Sequence, residues 1–266
     1  MRVALGIEYA GTAYNGWQRQ ETGIGIQTLV ERAISEVADE TVATVCAGRT
    51  DAGVHAIAQV VHFDSCADRT RRGWMLGVNG KLPDSINVTW AARVDSQFSA
   101  RFSATSRTYR YVILNRLARS ALMRHRAWWV HEPLDEQAMQ QAANHLQGEH
   151  DFSAFRAAAC RASTPVRNLS RLQVSRSGEL IALSVTGNAF LQHMVRNITG
   201  TLVAVGKGDA DPDWVRIVLD SRDRTRAGVA APPHGLTLVD VEYPERFSIP
   251  RMTGPAARPQ SDRIRL

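Results

Sequence analysis

Lysine is nearly missing from this 266-residue chain: Lys81 and Lys207 are the only two among 32 lysines and arginines, so the formal charge of +6 rests on arginine. Cysteine is scarce as well. Cys46, Cys66 and Cys160 are odd in number and far apart, which rules out a disulfide framework and leaves no CxxC pair for zinc or redox work. The eight histidines show no HExxH or paired-ligand spacing, and His145 and His150, five apart, fall off a common helical face. No Walker loop or GxGxxG follows a strand-like run. Neither a metal nor an organic cofactor is expected. Long apolar runs are also absent: no stretch reaches the roughly 18 residues of a membrane span. The opening "MRVALGIEYAGTAY" meets Glu8 too early for the apolar region of a signal peptide. No membrane partner is expected, and the cytoplasm is the expected compartment.

What is present is enough apolar material for a large core, 44% of residues, in one large domain or two small ones. The charge is unevenly spread. From Arg101 to Arg126 there are seven arginines, at 101, 107, 110, 116, 119, 124 and 126, and no Asp or Glu. A local +7 in an ordinary soluble protein points to a polyanionic partner, against the blander reading of an arginine-rich solvated strand and loop.

Periodicity organises the chain into two similar halves. "RVALGIEY" reads as a strand, and Ile26, Leu29, Val30, Ala33 and Val37 recur at helical spacing. "TVATVCAG" and "IAQVVHFD" read as strands joined by a GRTDAGVH turn, a helix is expected over 70–82, and "INVTWAARV" is a further strand. This β-α-β-β-α-β order is the ferredoxin-like pattern. The second half repeats it loosely: strand "RTYRYVILN", a helix marked by Leu134, Met139 and Leu146, and a hairpin turning at Ser177 and Gly178. Next come a helix from an Asn188 N-cap, a shorter helix near Pro212 to Leu219, and a last strand "LTLVDVEY". The expected class is α+β, with halves at 1–100 and 101–245, and residues 246–266 as a disordered basic tail.

"CAGRTDAGVHA", 46–56, holds the most specific chemistry. Asp51 sits between glycines at the end of a strand, with Arg49 two residues before it. Glycines allow close approach of a substrate, and a nearby cation keeps the carboxylate ionised as nucleophile or base. A glycosidase would need a second carboxylate, which this turn lacks. A lone acid in a basic protein points to cofactor-free work on a nucleic acid.

"GWQRQ" (16–20), "CAGRTDAGVHAIAQVVHF" (46–63), "ARFSATSRTYRYVILN" (100–115), "GEHDFSAFR" (148–156) and "FLQHMVRNITGTL" (190–202) resemble, in that order, the tRNA pseudouridine synthase A family. The resemblance implies two ferredoxin-like halves around a central cleft, a homodimer, and isomerisation of uridines 38, 39 and 40 in the tRNA anticodon stem-loop. It also implies Asp51 as the catalytic residue, with Tyr109, Arg49 and Arg196 binding substrate. His55 is expected to be structural, and Trp17 and Gln18 are weaker candidates for tRNA contact or packing. The competing reading is a non-catalytic RNA-binding protein with RRM-like halves, but such a platform would need rings where GRTDAGVHA places an acid and glycines.

Overall fold

A computed structural model describes residues 1–250 of the chain, an α+β protein that divides into two compact units. The first contains residues 1–106 and the described residues from Leu238 onward. It runs β1 (Arg2–Tyr9), α1 (Ile26–Ala38), β2 (Val45–Cys46), β3 (His55–Asp64), α2 (Arg71–Asn79) and β4 (Ile86–Val94). The strands pair antiparallel in the order β4-β1-β3-β2, the ferredoxin-like arrangement expected from the sequence. β1 is apolar at nearly every position because both of its faces are covered. Ile26, Val30, Ala33 and Ile34 form the buried stripe of α1, and Trp74 of α2 meets the ring of Phe63 edge-on at 5.2 Å. Thr70 caps α2, its Oγ1 accepting from the Gly73 amide.

β2 is two residues long rather than the eight-residue strand expected over 41–48. It covers β3 only opposite Val61 and His62, leaving the remaining edge of β3 free to pair with β10 (Leu236–Glu242). The closing strand, expected in the second half, therefore joins the first unit from Leu238 onward. The segment after it is also built into this unit. Glu245–Phe247 form a 3-10 turn, Phe247 is buried against Phe98 at 5.3 Å, and the Tyr243 hydroxyl donates to the Ala100 carbonyl. The disordered tail expected from 246 is thus corrected for residues 246–250, where a buried aromatic ring offsets the entropy of ordering a few residues. Its remainder, 251–266, lies outside the described residues.

The second unit spans Arg107–Thr237. It contains β5 (Ser106–Asn115), β6 (Trp128–Val130), α3 (Glu136–Asn144), β7 (Gly148–Asp151), β8 (Val166–Ser177), β9 (Leu180–Gly187), α4 (Met194–Lys207) and α5 (Trp214–Ser221). Its sheet order is β5-β9-β8-β7, with β6 parallel to β5 on the other edge; the short strands β6 and β7 give too little pattern to be read from sequence. Tyr109, Tyr111 and Ile113 of β5 share the buried face with Val185, Leu183 and Ile181 of β9. α3 packs beside β8, where Gln140 accepts from the Val174 amide. α4 begins at Met194, six residues after the expected cap. His193, left-handed at φ 62°, precedes it, and Asn188 uses its Oδ1 to bind the amides of Asn168 and Ala189 instead.

Candidate active site

In the first unit, the segment before β3 alternates in exposure: Thr50 is buried, whereas Arg49 is exposed and Asp51 half-buried. Thr50 is held inward by a hydroxyl–hydroxyl hydrogen bond with Tyr9, 2.8 Å. Gln59, fully buried on β3, donates to the Gly48 carbonyl at 2.6 Å and to the Tyr9 hydroxyl at 3.4 Å. With positions 48 and 50 anchored from inside, Arg49 and Asp51 retain access to solvent.

The turn itself closes when the Val54 amide donates to the Asp51 carbonyl at 3.1 Å, with Gly53 at φ 80° in the position where such a turn needs a left-handed residue. The loop after β1 clamps it. The Trp17 amide donates to the Thr50 carbonyl, and a Cβ on Gly16 would lie 2.7 Å from that same oxygen and 3.0 Å from the Asp51 carbonyl carbon. At Gly11 a Cβ would come within 1.9 Å of the Val54 carbonyl oxygen, and the Gly11 amide donates to Nδ1 of His55. His55 is therefore a brace, as expected: 4% exposed, with its Nδ1 lone pair engaged by backbone. Trp17, 1% exposed, is a packing residue, with its ring 5.9 Å from that of Tyr9. Arg19 of the same loop pairs with Glu31, a buried carboxylate that also accepts from the Thr44 amide.

Arg49 forms no ion pair with Asp51 among the described residues. Arg49 itself is exposed to solvent.

The second unit holds the other two predicted residues. Tyr109 is 7% exposed, opposite Val185 in the sheet, and its ring meets Phe190 edge-on at 5.1 Å. Arg196 is half-buried on α4, where its Nε donates to the Ala231 carbonyl at 2.8 Å while the Ala231 amide donates back to the Arg196 carbonyl at 3.0 Å. The segment around 228–232 lies tight on α4: a Cβ on Gly200 would sit 1.7 Å from the Val229 carbonyl oxygen. The Tyr111 hydroxyl donates to the Pro232 carbonyl at 2.7 Å. Burial drives the Tyr111 phenol far above its ordinary range, and the positive charge of Arg196 opposes that shift.

The chain is similar to known proteins over most of its length. The tRNA pseudouridine synthase family matches residues 6–103 and 142–244, about three quarters of the chain. The chain belongs to that family. A tRNA pseudouridine synthase A of Aeromonas hydrophila is 52% identical over 262 residues, covering 98% of this chain and 97% of the relative. One of Pseudomonas aeruginosa is 50% identical over 256 residues, 96% and 90% of the two chains, and one of Coxiella burnetii 49% over 251 residues, 94% and 96%. Arg49 and Asp51 fall in the first stretch matched by the family and Arg196 in the second, while Tyr109 lies between them.

The arginine zone is less uniform than its sequence suggests. Arg107 is buried and donates to the Asn188 carbonyl, and Arg116 is spent on Glu179 and the carbonyl of Ala118. Arg119, Arg124 and Arg126 are exposed, and Arg101 stands over the exposed ring of Phe102 at 5.1 Å. The braces of the Asp51 turn, Tyr9, Thr50 and Gln59, were not singled out from sequence; two lie on separate strands, and only pairing brings them together. Among the described residues no group of three or more His, Cys, Asp or Glu could hold a metal ion, and no helix is long and apolar enough to cross a membrane.

Proposed function

We propose that this protein converts uridine to pseudouridine in tRNA, at positions 38, 39 and 40 of the anticodon stem-loop, with Asp51 as the catalytic carboxylate. The observation that carries the reading is the braced turn, which holds one half-buried acid beside an exposed arginine in a chain that shares about half its residues with proteins named tRNA pseudouridine synthase A. The reaction balances without a co-reactant: the N1–C1′ bond breaks, C5 bonds to C1′, and the proton lost from C5 is matched by one gained at N1. It needs a carboxylate acting on the ribose or the uracil ring, and a base removed from its stack. Arg49, Tyr109 and Arg196 bind the substrate. Tyr109 offers a flat ring for the extruded base and Arg196 a fixed positive charge, while the exposed arginines of 101–126 receive phosphates. The protein works as a homodimer in the cytoplasm, without a metal or organic cofactor.

Incubation with an unmodified tRNA transcript, followed by mapping of pseudouridine, tests activity and position together. Pseudouridine at 38–40 supports the reading. Release of free uracil, or binding with no product, overturns it, and light scattering at working concentration checks the dimer.

A further inference from the structure

We propose that the outer face of the second unit's sheet, the face opposite its helices, is a docking surface for RNA phosphates, with Arg110 and Arg171 as its contacts. This deepens the proposed function and rests on its choice of RNA as substrate. The register defines the face. Thr108 of β5 lies opposite Thr186 of β9, which lies opposite Arg171 of β8; Arg110 lies opposite Ser184, which lies opposite Gln173. The residues between them, Tyr109, Val185 and Leu172, point the other way into the core. The two arginines thus stand diagonally across three strands, about 10 Å apart in the pairing direction, among hydroxyls and an amide and with no acid at these six positions.

The face is built but its charge is not balanced. The hydroxyls of Thr108 and Thr186 bond each other at 2.9 Å, and Arg171 is steered by Gln173, whose Oε1 accepts from its Nε at 3.1 Å. Arg110 is half-buried and makes no hydrogen bond or ion pair among the described residues. Its guanidinium is pushed below its ordinary range first by burial and then by the charge of Arg171. A partly desolvated cation facing a second cation costs stability and gains when an anion arrives. Two cations spaced across a flat polar face match the phosphates of a nucleic-acid backbone rather than an apolar surface, which places the occupant in the RNA class. Within the arginine zone this selects Arg110 over Arg107 and Arg116, whose guanidinia are already engaged, and it adds Arg171, which lies outside the zone.

Arg110→Met and Arg171→Gln test the surface in the full-length protein, with unmodified tRNA transcript as the probe in equilibrium binding across about 50–200 mM salt. The expected result is weaker binding by each variant, with the log–log salt slope falling by about 0.7–0.9 per contact. The melting temperature of free Arg110→Met should be unchanged or raised, because a structural arginine would show the opposite sign. Unchanged affinity and slope in both variants would overturn the proposal. So would a change of oligomeric state in either, which would make the face an interface between copies. A parent protein that binds tRNA with these slopes but forms no pseudouridine would refute the catalytic reading and leave the surface standing.

Discussion

The Tyr9 hydroxyl lies 2.8 Å from Oγ1 of Thr50, the residue immediately before Asp51, and both groups are buried. The pair ties the candidate catalytic turn to the central strand of the first unit. Thr50→Val keeps the shape and removes the bond, so the carboxylate should lose its aim; a displacement of about 1 Å costs roughly 10²-fold in rate. Single-turnover kinetics should show that loss with little change in tRNA affinity, and Thr50→Ser, which keeps the hydroxyl, should recover most of it. Equal loss in the Val and Ser variants would assign the effect to packing.

Asp51→Asn should abolish isomerisation while tRNA binding and the melting temperature stay near those of the parent. The amide fills the same space but is neither a nucleophile nor a base at neutral pH. Asp51→Glu should also be poor, since the brace holds the backbone and the extra methylene moves the carboxylate. Measurable turnover by the Asn variant, above contamination, would remove Asp51 from the mechanism.

Tyr109 offers both a ring and a phenol. If the hydroxyl takes part in proton transfer, Tyr109→Phe loses most of the activity and keeps binding; the expected outcome is that loss. A Phe variant with parental single-turnover rates would restrict the residue to stacking.

Arg196→Ala should lower the rate more than the affinity. The Nε bond to the Ala231 carbonyl orients the guanidinium, and a lysine has no donor at that point in its chain, so Arg196→Lys should recover only part of the rate. Parental single-turnover rates for the Ala variant at saturating enzyme would exclude Arg196 from the reaction.

Acid should destabilise the first unit before its carboxylates titrate. His62 is buried, its Nδ1 accepts from the Ala100 amide, and burial is the main cause that holds its imidazole below the ordinary value near 6.5. The unfolded chain then binds the extra proton more readily, so stability is full above about pH 6.5 and declines as pH falls toward the lowered native value. Melting temperatures between about pH 7.5 and 5 should follow that slope, and His62→Asn, which retains an acceptor near Nδ1, should flatten it. An unchanged slope in the variant would place the titration elsewhere, with His234, also lowered by burial, as the next group to replace.

Much of this protein was legible in one dimension because its signals are local. The periodicity of 26–38, the alternation of 107–115 and the Ser177–Gly178 turn mark elements that the structure shows within a residue or two. Asp51 stood out because the residues that shape its turn are its own neighbours in sequence, and a glycine after an acid at a strand end is a short-range signal. What depended on distant partners was not legible. The order of the chain could not show that a two-residue β2 leaves the edge of β3 open for the final strand, or that Phe247 would be buried against Phe98. Seven arginines in a row of 26 residues looked equivalent until strand pairing buried Arg107, gave Arg116 an acid, and set Arg110 across the sheet from Arg171. Residue type determines which charges a chain carries; only tertiary pairing decides which of them are neutralised, because a partner many residues away leaves no mark on local pattern.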